Sequence, residues 1–356
     1  MDTEASVGPA WCRDWPVVTE HHQAWWNRQG MVAQIFAPRG EPRVNAEPPD
    51  PPADHRERRA GPGYLPRAAE ATLARTEFFA DAIPLAHNNV GAGDLAAILG
   101  AGWHFEPTTV WFEPCIDDPA TYGSIRFDPA SPVFDALEQL VLAQVDRAKG
   151  RYLVAMPDLV ENLDILAAMR DPQTCMMDLV ERPEWVSEKI HEINVAYFEV
   201  FDRLYEHIKE PAGGNAFTAF AVWGPGKTAK VQCDASAMIG PDMFGKFVAP
   251  GLKEQCDQLD QAVYHLDGPE CICHLDHLLA IDSLNAIQYT PGARNPSVVD
   301  PRWLEFYHRV LRGGKSLLLG GVPPTEVQPL IDELGPTGLH ITSHCESAAD
   351  AESLAT

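Results

Sequence analysis

From Ala68 onward the chain alternates short β-type runs with helical stretches, and nothing else in it restricts the fold as strongly. Strands that alternate with helices pair most readily side by side and parallel, with the helices packed on the sheet. The strand-type runs fall at residues 82–86, 108–112, 152–156, 217–223, 262–264, 286–289, 316–319 and 339–342. Helical signals separate them. Ser131 followed by Pro132 is an N-cap and a first helical position, Val133, Leu137, Leu140 and Val141 share one face behind it, and Gly150 stops the run. A longer helix begins at Pro183 and places Val186, Ile190, Ile193, Tyr197, Phe201, Leu204 and Ile208 at helical spacing. About eight such units with no break in composition predict a single (β/α)8 barrel, a TIM barrel, over residues 67–356. A doubly wound α/β sheet is the alternative.

Residues 1–66 read differently. Trp11, Trp15, Trp25 and Trp26 bring four indoles that need burial. Residues 39–66 are rich in proline and charge, with Pro48-Pro49, Pro51-Pro52 and then Arg56, Arg58 and Arg59. The expectation is an N-terminal Trp- and Pro-rich arm, folded over its own barrel or a partner subunit.

Composition narrows the function. A formal net charge of -24 repels nucleic acid and anionic membranes, so neither is an expected partner. No apolar run approaches the ~18 residues of a membrane span. Residues 1–9 lack the apolar segment of a secretory signal. The eight cysteines are scattered rather than framed for disulfides, as expected of reduced thiols in a cytoplasmic protein.

In a barrel the chemistry sits on the loops that follow the strands. The polar residues there are Asn88 and Asn89, Glu113, Asp158, Trp223, His265 with Asp267, Gln288 with Tyr289, and His344 with Cys345. The stretch Tyr264-His265-Leu266-Asp267-Gly268-Pro269 is the most pointed. Two residues apart on a strand, His265 and Asp267 face the same side before the Gly-Pro turn. With Cys345 they form a candidate zinc set of nitrogen, oxygen and sulfur with a fourth position open. The other reading of the same residues is a hydrogen-bonded His–Asp pair and an inert buried thiol. Asp158, Glu113 and Asp267 are candidate acid–base or orienting groups. The other reading of Asp158 is a cap on the helix near Asn162. Trp111 and Trp223 are candidate pocket walls, and Asn162, Gln288 and Tyr289 candidate substrate contacts. Cys271 and Cys273, two apart, point about 200° away from each other on a helix and read as packing thiols. Gly224-Pro225-Gly226-Lys227-Thr228 lacks the glycine spacing of a phosphate loop.

Several of these segments carry a family likeness. Residues 233–244, from Cys233-Asp234-Ala235-Ser236 to Asp242-Met243-Phe244, together with Phe247-Val248-Ala249-Pro250 and Tyr264-His265-Leu266-Asp267-Gly268, resemble the uroporphyrinogen decarboxylase superfamily. Val110-Trp111-Phe112-Glu113-Pro114, Pro157-Asp158-Leu159 and Thr290-Pro291-Gly292-Ala293 resemble its uncharacterised decarboxylase-like branch near the corrinoid methyltransferases. The likeness spans residues 70–354 and implies a (β/α)8 barrel and a homodimer. In the methyltransferase members a His-x-Cys pair and a later Cys bind zinc, which activates a thiol acceptor. His265 and Cys345 match the first and last of these positions, and Asp267 replaces the middle cysteine. The decarboxylase proper grips its substrate's carboxylates with an Arg-rich entry motif. Here Trp26-Asn27-Arg28-Gln29-Gly30 offers one arginine in a strongly acidic chain. The resemblance therefore leads us to expect a zinc-dependent small-molecule transferase that moves a methyl group to a thiol or to a corrinoid on a partner protein. A decarboxylase or lyase acting on a small carboxylated substrate and a non-catalytic ligand-binding barrel are the alternatives.

Overall fold

A computed structural model describes residues 8–88, 90–107 and 109–356, so Asn89 and the first residue of the 108–112 run lie outside the described residues. The N-terminal half holds β1 (Val32–Pro38), β2 (Thr76–Ala80), β3 (Leu85–Ala86), β4 (Gly102–Phe105), β5 (Val110–Glu113) and β6 (Leu153–Val154). The C-terminal half holds β7 (Asn215–Phe217), β8 (Val222–Gly224), β9 (Thr228–Gln232), β10 (Gln261–Asp267), β11 (Ala286–Thr290), β12 (Ser316–Leu319) and β13 (Leu339–His344).

Seven strands form the central sheet in the order β2-β1-β13-β12-β11-β10-β9. Every neighbouring pair is parallel except β1 with β2. β9 and β12 are buried along their whole length, as strands covered on both faces must be. Smaller pieces continue the layer. β3 pairs parallel with β6, Met156 bridges to Phe217, and the Asn215 side chain exchanges two hydrogen bonds with the Thr228 backbone (2.8 and 3.0 Å). The molecule is thus an α/β protein with a mostly parallel sheet. Among the described residues no pairing joins β3 back to β1.

The helices follow their signals. Ser131 Oγ accepts from Phe134 N at 3.5 Å and starts the helix Pro132–Ala148. The helix Pro183–Ile208 buries the apolar face foreseen for it. None of the helices among the described residues is long and apolar enough to cross a membrane.

Two expectations change. Residues 1–66 are not an arm apart from the sheet, because β1 lies inside it between β2 and β13. Its signal is the alternation of Val32, Gln34 and Phe36 with Ala33, Ile35 and Ala37. The indoles find their burial beside it. The helix Trp15–Trp26 lies across the sheet's N-terminal end, where Trp25 and Trp26 pack with Val32, Val263, Ala286 and Leu318. Trp25 Nε1 donates to Gly338 O at 3.0 Å, and Trp26 Nε1 donates to Trp223 O at 2.9 Å. The second change concerns the 108–112 run. Its residues from Val110 onward form β5, one arm of the antiparallel β4–β5 hairpin off the central sheet, and Trp111 stands 58% exposed on it. Likewise the 217–223 run breaks into the β7–β8 hairpin, with Ala221 at φ +52° in its turn.

Trp25 fills a closed interior and satisfies its own N–H. Trp25→Ala is expected to lower stability by about 3–5 kcal/mol, read from the denaturant midpoint.

Candidate metal centre

The parallel strands deliver their C-terminal ends to one side of the sheet, and polar side chains collect there. His265 and Asp267 leave β10 on the same face, as their spacing requires. In the parallel register His265 lies beside Gln288 and Asp267 beside Thr290 of β11. Gln288 Oε1 bonds the His265 ring at Nδ1, and Gln288 Nε2 donates to Thr290 Oγ1 at 2.9 Å. A carbonyl oxygen requires N–H on the nitrogen it meets, so Nδ1 carries the proton and Nε2 keeps its lone pair. Burial, and next the charge of Lys230, hold the imidazole below its ordinary pKa, which keeps the ring neutral.

The third member of the cluster comes from the strand that the sequence reading did not assign. β9 alternates Thr228, Lys230 and Gln232 with Ala229 and Val231, and the chain beyond it places Asp234 opposite β10. One ligand atom from each of Asp234, His265 and Asp267 lies within 4.8 Å of the other two. Asp234 is held from both sides. Gln232 Nε2 donates to its Oδ2 at 3.0 Å, while the Asp164 carboxylate accepts from the backbone N–H groups of Asp234 and Ala235, each at 2.8 Å. Its own pKa is raised to about 7, by burial first and then by the Asp164 charge.

Behind this group lies a buried ion pair. Lys230 Nζ meets Asp158 Oδ1 at 2.7 Å, and both side chains are almost wholly enclosed. Lys230 also donates to Gln232 Oε1, and Glu161 accepts from Gln232 N. The loop between Asp158 and the helix Asn162–Arg170 is strained, with Val160 at φ +56° and Asn162 at φ +37°. A β-branched residue in that region costs about 1–3 kcal/mol, so its surroundings must over-determine it.

The structure therefore brings together His265, Asp267, Gln288 and Asp158, and adds Asp234, Lys230, Gln232, Glu161 and Asp164. It places the other candidates elsewhere. Cys345, just past the end of β13, packs with Ile35, Ala37, Phe79 and Ala351, while His344 stacks on Phe36. Strand alternation turns Tyr289 outward onto Trp303, Phe306 and Tyr307. Glu113 is exposed on the β4–β5 hairpin, 3.5 Å from His104. Trp111 shares that hairpin and faces solvent. Trp223 is buried against Trp15, and its Nε1 donates to Glu210 Oε2 at 2.5 Å. Asn162 is buried and donates to Gln255 Oε1 at 3.2 Å. Cys271 and Cys273 sit in the turn Pro269–His274, against Ser236 Oγ at 3.5 Å and Glu270 O at 3.1 Å respectively.

In structure the chain is similar to a methyltransferase from Methanosarcina mazei, with a TM-score of 0.58 over 95% of this chain and 97% of that one. Sequence identity is 10%, so the likeness is one of fold. No protein-family model matches the sequence. No curated protein matches it either.

Asp94 offers a test of the electrostatics behind Asp158. It is buried, and neither carboxylate oxygen has a hydrogen-bond partner among the described residues. Burial, then the Asp158 charge, raises its pKa well above the ordinary value. A carboxyl raised on folding stabilises fully below its unfolded pKa, and that contribution is lost as pH climbs toward the folded value. Asp94→Asn is therefore expected to raise the melting temperature at pH 8 and to leave it unchanged near pH 3. A loss at pH 8 would count against an unpaired carboxylate.

Proposed function

We propose that this protein is a divalent-metal-dependent transferase acting on a small molecule, with methyl transfer as its reaction, and that its strands complete a (β/α)8 barrel. The observation that carries the reading is the convergence of Asp234, His265 and Asp267 at the C-terminal ends of two adjacent parallel strands. The fold likeness to a methyltransferase supports the choice of chemistry.

One imidazole nitrogen and two carboxylate oxygens suit zinc, and also the neighbouring transition metals. A cation held by Asp234, His265 and Asp267 would supply a Lewis acid to a thiol or oxygen of the reactant. The protein's own groups do the rest. Gln288 aims the imidazole, Asp164 fixes the Asp234 turn, and Asp267 stands exposed at the end of β10 where a reactant would enter. The Lys230–Asp158 pair is internally neutral. It firms the floor of the site without adding a net charge.

A corrinoid-bearing protein as acceptor and a homodimeric assembly belong to the same proposal. Decarboxylation of a carboxylated substrate ranks lower. Lys230 is the cation placed to grip a carboxylate, and Asp158 already holds it within a ring of acids.

Elemental analysis of protein purified without chelator is expected to find about one divalent metal per chain. His265→Ala and Asp234→Ala should each reduce it below a tenth, and Cys345→Ser should leave it intact. Metal that survives Asp234→Ala and disappears in Cys345→Ser would overturn the ligand assignment.

A further inference from the structure

A cavity of about 1010 Å³ opens beside the His265 group, between the C-terminal ends of β1, β12 and β13 and the helix Leu65–Ala74. It exists because β2 folds back antiparallel on β1, and no described pairing draws β3 against that edge. Its inner end lies two strands from His265. Leu318 lines it, and the sheet register runs from Leu318 to Gln288 to His265. Phe220 also lines it, with its ring 5.3 Å from that of His265. A ligand seated there abuts the candidate ligand set across one phenyl ring.

The walls define what fits. Phe36, Phe78 and Phe220 supply aromatic faces, and His87 and His344 add two more rings. His344 is stacked on Phe36, with centroids 5.0 Å apart. Burial keeps His87 below its ordinary pKa and therefore neutral. Arg75, the charged member of the lining, donates to the Ala46 and Ala71 carbonyls at 2.7 and 3.2 Å and lies 3.6 Å from Glu47. Among the described residues the lining thus holds no uncommitted cation for an anion, and the cluster of His265 beyond Phe220 carries the carboxylates of Asp234 and Asp267. The volume sits at the upper end of the ~300–1,000 Å³ usual for small-molecule sites, and apolar, aromatic walls with few convergent polar groups favour ring systems.

We propose that the substrate of the His265 site is a neutral small molecule with an aromatic, fused-ring-sized body, seated in this cavity with its reactive polar group directed past Phe220. This rests on the metal-site reading for the reaction, and its test stands apart from that reading.

Calorimetric titration compares three probes: methyl naphthyl ether, its naphthoate analogue bearing a carboxylate, and octyl methyl ether. The naphthyl ether is expected to bind saturably and at least about tenfold more tightly than either of the others. Ala69→Trp, which fills the outer wall, should weaken it at least about tenfold. Ala68→Phe serves as the milder plug, and circular dichroism confirms that each variant is folded. His265→Ala should lose metal and retain ligand. Octyl ether binding as tightly as naphthyl ether overturns the aromatic class. Absence of saturable binding, or binding indifferent to both folded plugs, overturns the cavity as the site. Loss of the metal assignment alone leaves the titration result standing.

Discussion

The ion pair between Lys230 and Asp158 is the contact on which the site's architecture depends. β9 is an edge of the seven-stranded sheet, and Asp158 belongs to the loop after β6, which pairs in a different, smaller sheet. The pair ties the two together at the end where the functional groups collect. Two charges taken from water this completely repay their desolvation only through each other, and removing one of a buried pair typically costs about 3–5 kcal/mol. The geometry of Gln232 and Asp234 follows from that tie. Lys230 bonds Gln232, Glu161 bonds the Gln232 backbone, and Gln232 in turn bonds Asp234. The strain at Val160 and Asn162 is borne in the same short loop, which is where an enforced conformation would be expected.

Much of the layer structure was legible because it rests on periodicity. The alternation of β-type runs and helices, the Ser131 cap and the long apolar face after Pro183 all reappear in the structure. Of the central-sheet strands, β1, β2 and β9 were missed; β2 follows directly on the helix Leu65–Ala74 and reads as its continuation, while β1 and β9 each carry polar residues on the inward face. In β1 that residue is Gln34, and in β9 they are Lys230 and Gln232, so neither reads as an apolar run. Yet both keep the period of two, and that was the available signal. Conversely, the 108–112 run has strand composition but forms a hairpin off the central sheet, since composition alone does not choose a partner.

The candidate site was legible locally and not globally. The His265–Asp267 spacing fixed a shared face because it is a property of a single strand. Choosing their third companion required knowing which strand lies alongside β10, and that is set by the sheet order. Cys345 follows the last residue of β13, where strand parity no longer sets direction; it packs with Ile35, Ala37, Phe79 and Ala351 and lines the cavity beside His344, and the cluster of Asp234, His265 and Asp267 does not include it. Tyr289, one residue past Gln288 on β11, faces the other way by strand parity. Phe220, which sits at the junction of cavity and cluster, fell inside the 217–223 run read as one strand, whereas the structure turns the chain there between β7 and β8.

The indole pair at the N-terminal end of the sheet has a consequence for access. Trp25 and Trp26 pack that end closed with Val32, Val263, Ala286 and Leu318. Solvent therefore meets the polar cluster from the opposite side, where Asp267 stands exposed at the end of its strand.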